Sequence, residues 1–139
     1  MNTHKNIIVY CSIFFFLCGC AIISEPFKTV WGSSVRAIEK ARKDAAVDSF
    51  PCSVQACFDS VLEILKEEEA TVFIKDKKRN LIVAMDLSCC VDTTEVGIFF
   101  TPLSEGDAKT KVEVSAISAQ AVTFLSAIIF SSLETIYPE

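Results

Sequence analysis

The spacing of the apolar residues changes twice along this chain, and the change limits the folds open to it. Between residues 54 and 65 apolar side chains recur three and four positions apart, as on one buried face of a helix. From Thr71 to Ser118 the spacing becomes two, as in strands with one buried face. From Ala119 to Ile136 helical spacing returns. A chain of this order has two apolar helix faces and one apolar sheet face to bury against each other.

The predicted elements form an α+β fold. Ser53 is expected to cap the first long helix, which extends to about Glu69, and Ala46–Phe50 is a candidate first strand. Two hairpins should follow, with strands at Thr71–Asp76, Asn80–Met85, Thr94–Thr101 and Lys109–Ser118. The order β-α-β-β-β-β-α predicts a two-layer sandwich, in which an antiparallel sheet of four to five strands packs on two helices.

One face of this sheet is expected to be exposed to water. The segment 111–115 alternates valine with polar side chains, which is typical of a sheet with one solvated face. Phe99 and Phe100 are adjacent and must point to opposite faces, so one of them leaves the main core. Either it contacts a partner, or the short, weakly amphipathic helix predicted over Val35–Ala45 packs over it.

A different pattern precedes these elements. Lys5 lies in a start without acidic residues, and the apolar run from Ile7 to Leu17 is shorter than the roughly 20 residues that span a bilayer. The run ends in Leu17-Cys18-Gly19-Cys20, which resembles the processing box of bacterial lipoprotein signal peptides. In that box the cysteine thiol receives a diacylglycerol. The resemblance implies that residues 1–19 are a signal peptide and that Cys20 is lipidated and becomes the mature N-terminus.

Three cysteines compete for the lipid, and the residue before each one separates them. Cys20 follows the small Gly19, as the peptidase requires, whereas bulky Leu17 precedes Cys18 and Cys11 lies inside the apolar run. The residue after Cys20 is Ala21 rather than aspartate. By resemblance to Gram-negative lipoproteins, this implies sorting to the outer membrane, with the domain facing the periplasm.

Length and charge then narrow the function. Removing 19 of the 139 residues leaves 120, which is enough for one domain: a lipidated N-terminus, tether and short helix over 20–45, and an α+β domain over 46–139. The mature chain has 12 Lys and Arg against 18 Asp and Glu, a net charge of −6, which argues against nucleic-acid binding. The sole histidine, His4, lies in the signal, so the mature chain lacks histidine-based catalysis and metal ligation. We therefore expect neither an enzyme nor a cofactor.

Four further cysteines are possible disulfide partners in an oxidising compartment: Cys52, Cys57, Cys89 and Cys90. A local bridge between the first two is plausible, as is pairing of either with the adjacent pair, and the sequence leaves the connectivity open. A redox couple is disfavoured because the spacing is C-x4-C rather than C-x-x-C. A metal is also disfavoured, because adjacent cysteines with Asp86 and Asp92 make a poor tetrahedral set.

The basic run Lys75–Arg79 admits two interpretations. It could contact anionic glycan or lipid phosphates as a local patch. A solvated turn that discourages edge-to-edge pairing of sheets is the commoner role, and we favour it.

The element order behind the lipoprotein box resembles the helix-grip domains of small outer-membrane lipoproteins, such as the BamC-type accessory lipoproteins of β-barrel assembly. The segments Val72–Asp76 and Thr93–Gly97 also look like those of small bacterial lipoproteins of unassigned function. This resemblance implies a membrane-anchored protein that binds or scaffolds other envelope proteins. The alternative is a binder of a small apolar ligand or lipid in a cavity between helix and sheet.

Overall fold

The computed structural model describes residues 35–91, 93–103, 106 and 108–139. Its first element is a helical segment at residues 35–41, named α1, which continues into the short 3-10 turn Arg42–Asp44. The other helices and strands are β1 Ala46–Phe50, α2 Val54–Glu67, β2 Thr71–Asp76, β3 Leu81–Met85, β4 Val96–Pro102, β5 Thr110–Ala116 and α3 Ala119–Ile136. The predicted signal peptide, Cys20 and the tether over residues 21–34 lie outside the described residues.

The five strands form one antiparallel sheet in the order β1-β5-β4-β3-β2. Both predicted hairpins are present, as β2–β3 and β4–β5, and β1 lies against β5 with Ala46 opposite Val114 and Phe50 opposite Thr110. The predicted α+β fold, an antiparallel sheet packed on helices, is confirmed. The bounds of β1 and β2 match the predicted ones, and those of β3, β4 and β5 differ from them by one or two residues at one or both ends.

Helix α2 begins where the sequence predicts. The amide of Ala56 donates to Oγ of Ser53 at 3.2 Å, which satisfies one of the free N–H groups of the first turn. The helix ends two residues before Glu69, which takes a left-handed φ of 57°. The amide of Ala70 then donates to the carbonyl of Leu65 at 3.0 Å, as in a Schellman motif, with glutamate where glycine is usual.

Helices α2 and α3 pack on one face of the sheet and form the main core. Ser118 caps α3, and its buried face repeats at helical spacing through Ala121, Leu125, Ile129 and Leu133. Two aromatic pairs join helices to strands: Phe58 with Phe100 at 5.2 Å between ring centroids, and Phe50 with Phe130 at 5.8 Å. The helix–sheet interface at these positions is filled by side chains.

The second face is solvated only in part: α1 covers it over β3, β4 and β5, while Val47 of β1 is 53% exposed. Val35 and Ile38 of α1 pack on a second cluster of buried residues, formed by Leu81, Val83 and Phe99. Below α1, Glu113 and Ser115 are buried, although strand alternation placed them outside the main core. Coverage by the N-terminal helix therefore explains Phe99, while Phe100 points into the main core.

Polar contacts also hold α1 to the sheet. Oγ of Ser115 donates to the carbonyl of Ile38 at 2.9 Å. The Arg42 guanidinium donates to the carboxylate of Glu113. It also lies 4.2 Å from the centre of the Phe99 ring. Residues 35–45, which the sequence grouped with the tether, thus belong to the same compact unit as the sheet, Val35–Glu139.

The close approach of α1 depends on Gly97. A Cβ atom at this position of β4 would collide with the Cγ2 methyl of Ile38 and lie 3.0 Å from the Phe99 ring. We therefore expect Gly97→Ala to lower the free energy of unfolding by about 1–3 kcal/mol, as overpacking does, in equilibrium chemical denaturation. Adding Ile38→Ala removes the colliding methyl, so the double variant should lose less than the sum of the two single variants. Strict additivity would contradict the collision.

Candidate functional site

The predicted site residues fall into two groups. Cys20 lies outside the described residues, so its lipidation stays a prediction. The four other cysteines are described, and the structure pairs Cys52 with Cys57 and Cys89 with Cys90. Of the connectivities that the sequence left open, the structure contains the one made of two local bridges.

The Cys52–Cys57 bridge lies in the core. Its Cα atoms are 5.9 Å apart, both residues are buried, and it ties the end of β1 to the first turn of α2. Oγ1 of Thr110 donates to the carbonyl of Cys52 at 2.7 Å, which fixes the connecting loop against β5. Reactive cysteines need access for a second thiol, and these sulfurs are enclosed by core side chains. The geometry supports a structural role.

The Cys89–Cys90 bridge closes a small ring in the loop after β3. The amide of Cys90 donates to the carbonyl of Leu87 at 3.0 Å, and the Gln120 side chain donates to the carbonyl of Cys89 at 3.3 Å. This bridge therefore shapes a half-buried loop beside the start of α3. Within the described residues, which leave out Asp92, no group of three or more histidine, cysteine, aspartate or glutamate residues could hold a metal ion.

The basic run at the β2–β3 turn is partly neutralised by its neighbours. Nζ of Lys77 lies 3.2 Å from Asp59 of α2, and Nε of Arg79 donates to Asp76 at 2.8 Å. The Arg79 hydrogen bonds hold the pKa of Asp76 below its ordinary value, while a hydrogen bond from Gln55, with a smaller contribution from Lys77, lowers that of Asp59. Two of the four cations are thus committed to ion pairs, which favours the solvated-turn interpretation.

A groove of about 590 Å³ runs between α2 and α3 on the outer surface of the helix layer. Ile64 and Ile136 supply its apolar part, and Ile136 is 49% exposed. Glu63 and Glu67 form the α2 wall. The α3 wall consists of Ser131, Ser132 and Thr135. Ser131 and Thr135 donate their hydroxyl hydrogens to carbonyls of their own helix, at 3.1 and 2.9 Å, so this wall is uncharged and already internally bonded.

The helix layer around this groove is strongly acidic. Residues 54–69 and α3 carry one basic residue, Lys66, against six carboxylates: Asp59, Glu63, Glu67, Glu68, Glu69 and Glu134. The Lys66–Glu63 pair, 3.5 Å apart and exposed, contributes little because water screens both charges. The surface beside the groove therefore keeps a negative potential.

A second groove, of about 670 Å³, lies where α1, the end of β5 and the start of α3 meet. Its walls are made of small apolar side chains: Ala37, Ala41, Ala116, Ala119 and Val122. Lys40, Lys43 and Asp44 stand along one side. Ile117, which follows β5 and is 80% exposed, also lines it. This groove thus combines an apolar interior with a largely basic margin.

Within the part of the chain that the structure describes, α3 alone is long and apolar enough to cross a membrane, with a mean hydropathy of 1.4 over 18 residues. Such a composition also arises in the core helix of a soluble domain. Helix α3 packs on β5, β1 and α2 at once, and its four central apolar positions are fully buried. Its packing agrees with the core helix that the sequence predicts.

The sequence did not point to either groove. In the sequence, Glu67–Glu69 are charges that oppose the α2 dipole, and nothing local shows that α3 lies beside them. For the second groove, the available signal was the net positive charge of residues 35–45, which contrasts with the net negative charge of the rest of the chain. No protein-family model matches this chain, and no curated protein matches it significantly.

Proposed function

We propose that this chain is a non-enzymatic, lipid-anchored protein of the outer membrane, facing the periplasm, which binds or scaffolds other envelope proteins. The anchor rests on the processing box Leu17–Cys20 and on Ala21 after it. Two features support a role without catalysis: no histidine remains once residues 1–19 are removed, and the Cys52–Cys57 sulfurs are buried. Location and binding, rather than chemistry, are then the activity of the mature protein.

The observation that carries the binding role is the groove between α2 and α3. An apolar strip between an acidic and an uncharged wall is complementary to an amphipathic segment with apolar residues on one side and lysine or arginine on the other. Negative potential attracts such a segment, and apolar contact, chiefly with the exposed Ile136, then holds it. The partner we propose is therefore a protein that presents a basic amphipathic helix or strand.

The alternative, an apolar ligand between helix and sheet, has less support. The two grooves described above open at the surface, one between α2 and α3 and the other where α1, β5 and α3 meet. The space between α2 and the sheet is occupied by the Phe58–Phe100 pair. Native mass spectrometry of the purified protein tests this alternative, which requires a ligand of defined mass to co-purify.

Site-specific photocrosslinking in intact cells tests the binding role. We expect a photoreactive residue at Thr135, on the groove wall, to crosslink to one partner, and mass spectrometry to place the crosslink in a lysine- or arginine-rich segment. Glu63→Lys with Glu67→Lys should reduce this crosslink at least tenfold, because both carboxylates line the groove.

The matched control is Glu68→Lys with Glu69→Lys. It makes the same change in charge on the same helix end but alters residues outside the groove lining. A crosslink retained in the control and lost in the groove variant supports the proposal. Equal loss in both variants would reduce the effect to overall charge, and the absence of any crosslink in the otherwise unchanged protein would refute binding at this groove.

A further inference from the structure

We infer that the groove between α1 and α3 takes the headgroup and first methylenes of an anionic phospholipid, so that the α1 face of the domain rests on the membrane. This inference rests on the proposed function in one respect, the anchor at Cys20. It adds the orientation of the domain and the lipid that it contacts. The partner groove between α2 and α3 would then remain open to the periplasm.

The distribution of charge gives the first reason. Residues 35–45 carry four basic and two acidic side chains, a net charge of +2, whereas residues 46–139 carry seven basic and fifteen acidic ones, a net charge of −8. An anionic surface therefore attracts the α1 end and repels the rest of the domain. The carboxylates of α2 and of the end of α3 lie across the sheet from α1, whereas the start of α3, which lines the groove, is uncharged. The same field therefore turns the acidic residues away from the membrane.

The cations at the groove are available for an external anion. Arg42 is already held by Glu113 and the Phe99 ring, but Lys40 and Lys43 are exposed. Lys43 lies 3.8 Å from Asp44, and about 80% of each side chain is exposed, so this pair is weak and exchangeable. Positions 40 and 43 are three apart and lie on the same side of the helical segment, so two ammonium groups can approach one phosphate.

Apolar groups lie directly beside these cations. A single exposed isoleucine is ordinary on a protein surface and carries no argument alone. Ile117, however, continues the apolar lining of Ala37, Ala41 and Val122, and it shares the groove with both lysines. Lysine methylenes cover apolar surface while the ammonium stays at the polar layer, as in side chains at membrane interfaces. The combination suits a phosphate above short acyl methylenes.

The length of the preceding chain makes a weak contact effective. Residues 21–34 are the 14 residues between the predicted lipidated cysteine and α1, and they can span at most about 50 Å. An acylated Cys20 would hold the groove within this distance of the bilayer, at a high effective concentration of lipid. Two lysines and one aliphatic side chain then suffice to set the orientation, although they would not recruit a free protein.

Fluorescence quenching in reconstituted vesicles tests the inference. The acylated protein, purified from membranes with Trp31→Phe as background, carries a reporter as Ile117→Trp. It is placed in phosphatidylcholine vesicles with or without phosphatidylglycerol. The control reporter is Leu103→Trp, at the opposite end of the sheet and 52% exposed. Brominated lipids should quench the reporter at 117 several-fold more strongly than the one at 103, and only when phosphatidylglycerol is present.

Charge variants complete the test. Lys40→Glu with Lys43→Glu should abolish the difference between the reporters, while Lys66→Glu with Lys109→Glu, an equal change elsewhere, should leave it intact. If the glutamate pair disturbs the fold by circular dichroism, Lys40→Gln with Lys43→Gln replaces it. Equal quenching at both positions, or quenching at 117 without dependence on phosphatidylglycerol, overturns the inference while the anchor stands. A protein without acyl mass that does not float with vesicles overturns the anchor itself.

Discussion

We expect Cys20→Ser to abolish lipid attachment and processing completely. In the proposed anchor the diacylglycerol is joined to Cys20 through a thioether, which a serine hydroxyl does not form. The peptidase that cleaves processing boxes of this kind acts on the lipidated precursor. The variant should therefore keep residues 1–19. Intact mass of the purified protein and incorporation of labelled palmitate measure both effects, and the variant should gain the mass of the signal and lose the acyl mass.

Cys18→Ser is the matched control for this experiment. It replaces a neighbouring cysteine by a residue that is common at that position of the processing box, so lipidation and cleavage should be unchanged. If Cys18→Ser lost the lipid instead, the assignment of the modified residue would be wrong by two positions. If Cys20→Ser remained acylated, the lipid would be attached to another residue, whereas an unchanged protein without acyl mass would refute the anchor and the orientation inferred from it.

Phe58→Ala should have the largest effect on folding, lowering the free energy of unfolding by about 3–5 kcal/mol. The ring is 1% exposed and packs on Phe100 between α2 and the sheet. Its removal leaves a cavity that two helices and a sheet cannot close without moving. A domain of this size has a free energy of unfolding of roughly 5–15 kcal/mol, so this one substitution can remove a large part of its stability.

Equilibrium denaturation in guanidinium, with both disulfides intact, measures this loss. Ile117→Ala is the control, because it removes a comparable apolar group from a side chain that is 80% exposed and should change stability by no more than about 0.5 kcal/mol. A loss for Phe58→Ala as small as that of the control would mean that the helix–sheet interface is loosely packed. Such a result would revive the hypothesis of a ligand cavity.

The features that the sequence predicted well are those encoded by near neighbours. Ser53, the predicted cap of α2, accepts from the amide of Ala56, three residues later. The alternation over β2–β5 follows from one continuous core face, so the strands could be located without knowing their partners. Helix α3 was located from Ala119 to Ile136, since its apolar spacing persists for five turns.

The features that the sequence missed depend on distant residues. Glu113 looked like a solvated residue, because nothing near it in the chain shows that Arg42 lies above it. The need for glycine at position 97 could not be predicted, because it arises from the packing of Ile38 of α1 against β4. The two grooves exist only where separate helices meet, so neither spacing nor composition could outline them. Placement of α1 was the step that local patterns could not supply.

The sheet order has a consequence for how the chain completes its fold. Strand β1 is synthesised before the other described strands, yet it pairs with β5. Ala46 lies opposite Val114, which is 68 residues later in the chain. Such non-local pairing raises contact order and slows folding, because the entropy of closing a long loop is lost before any stabilising hydrogen bond forms. A chain that is secreted from its N-terminus would thus remain open until nearly all of it had crossed. In that interval the region around Cys20 would be accessible to modifying enzymes on an unfolded chain.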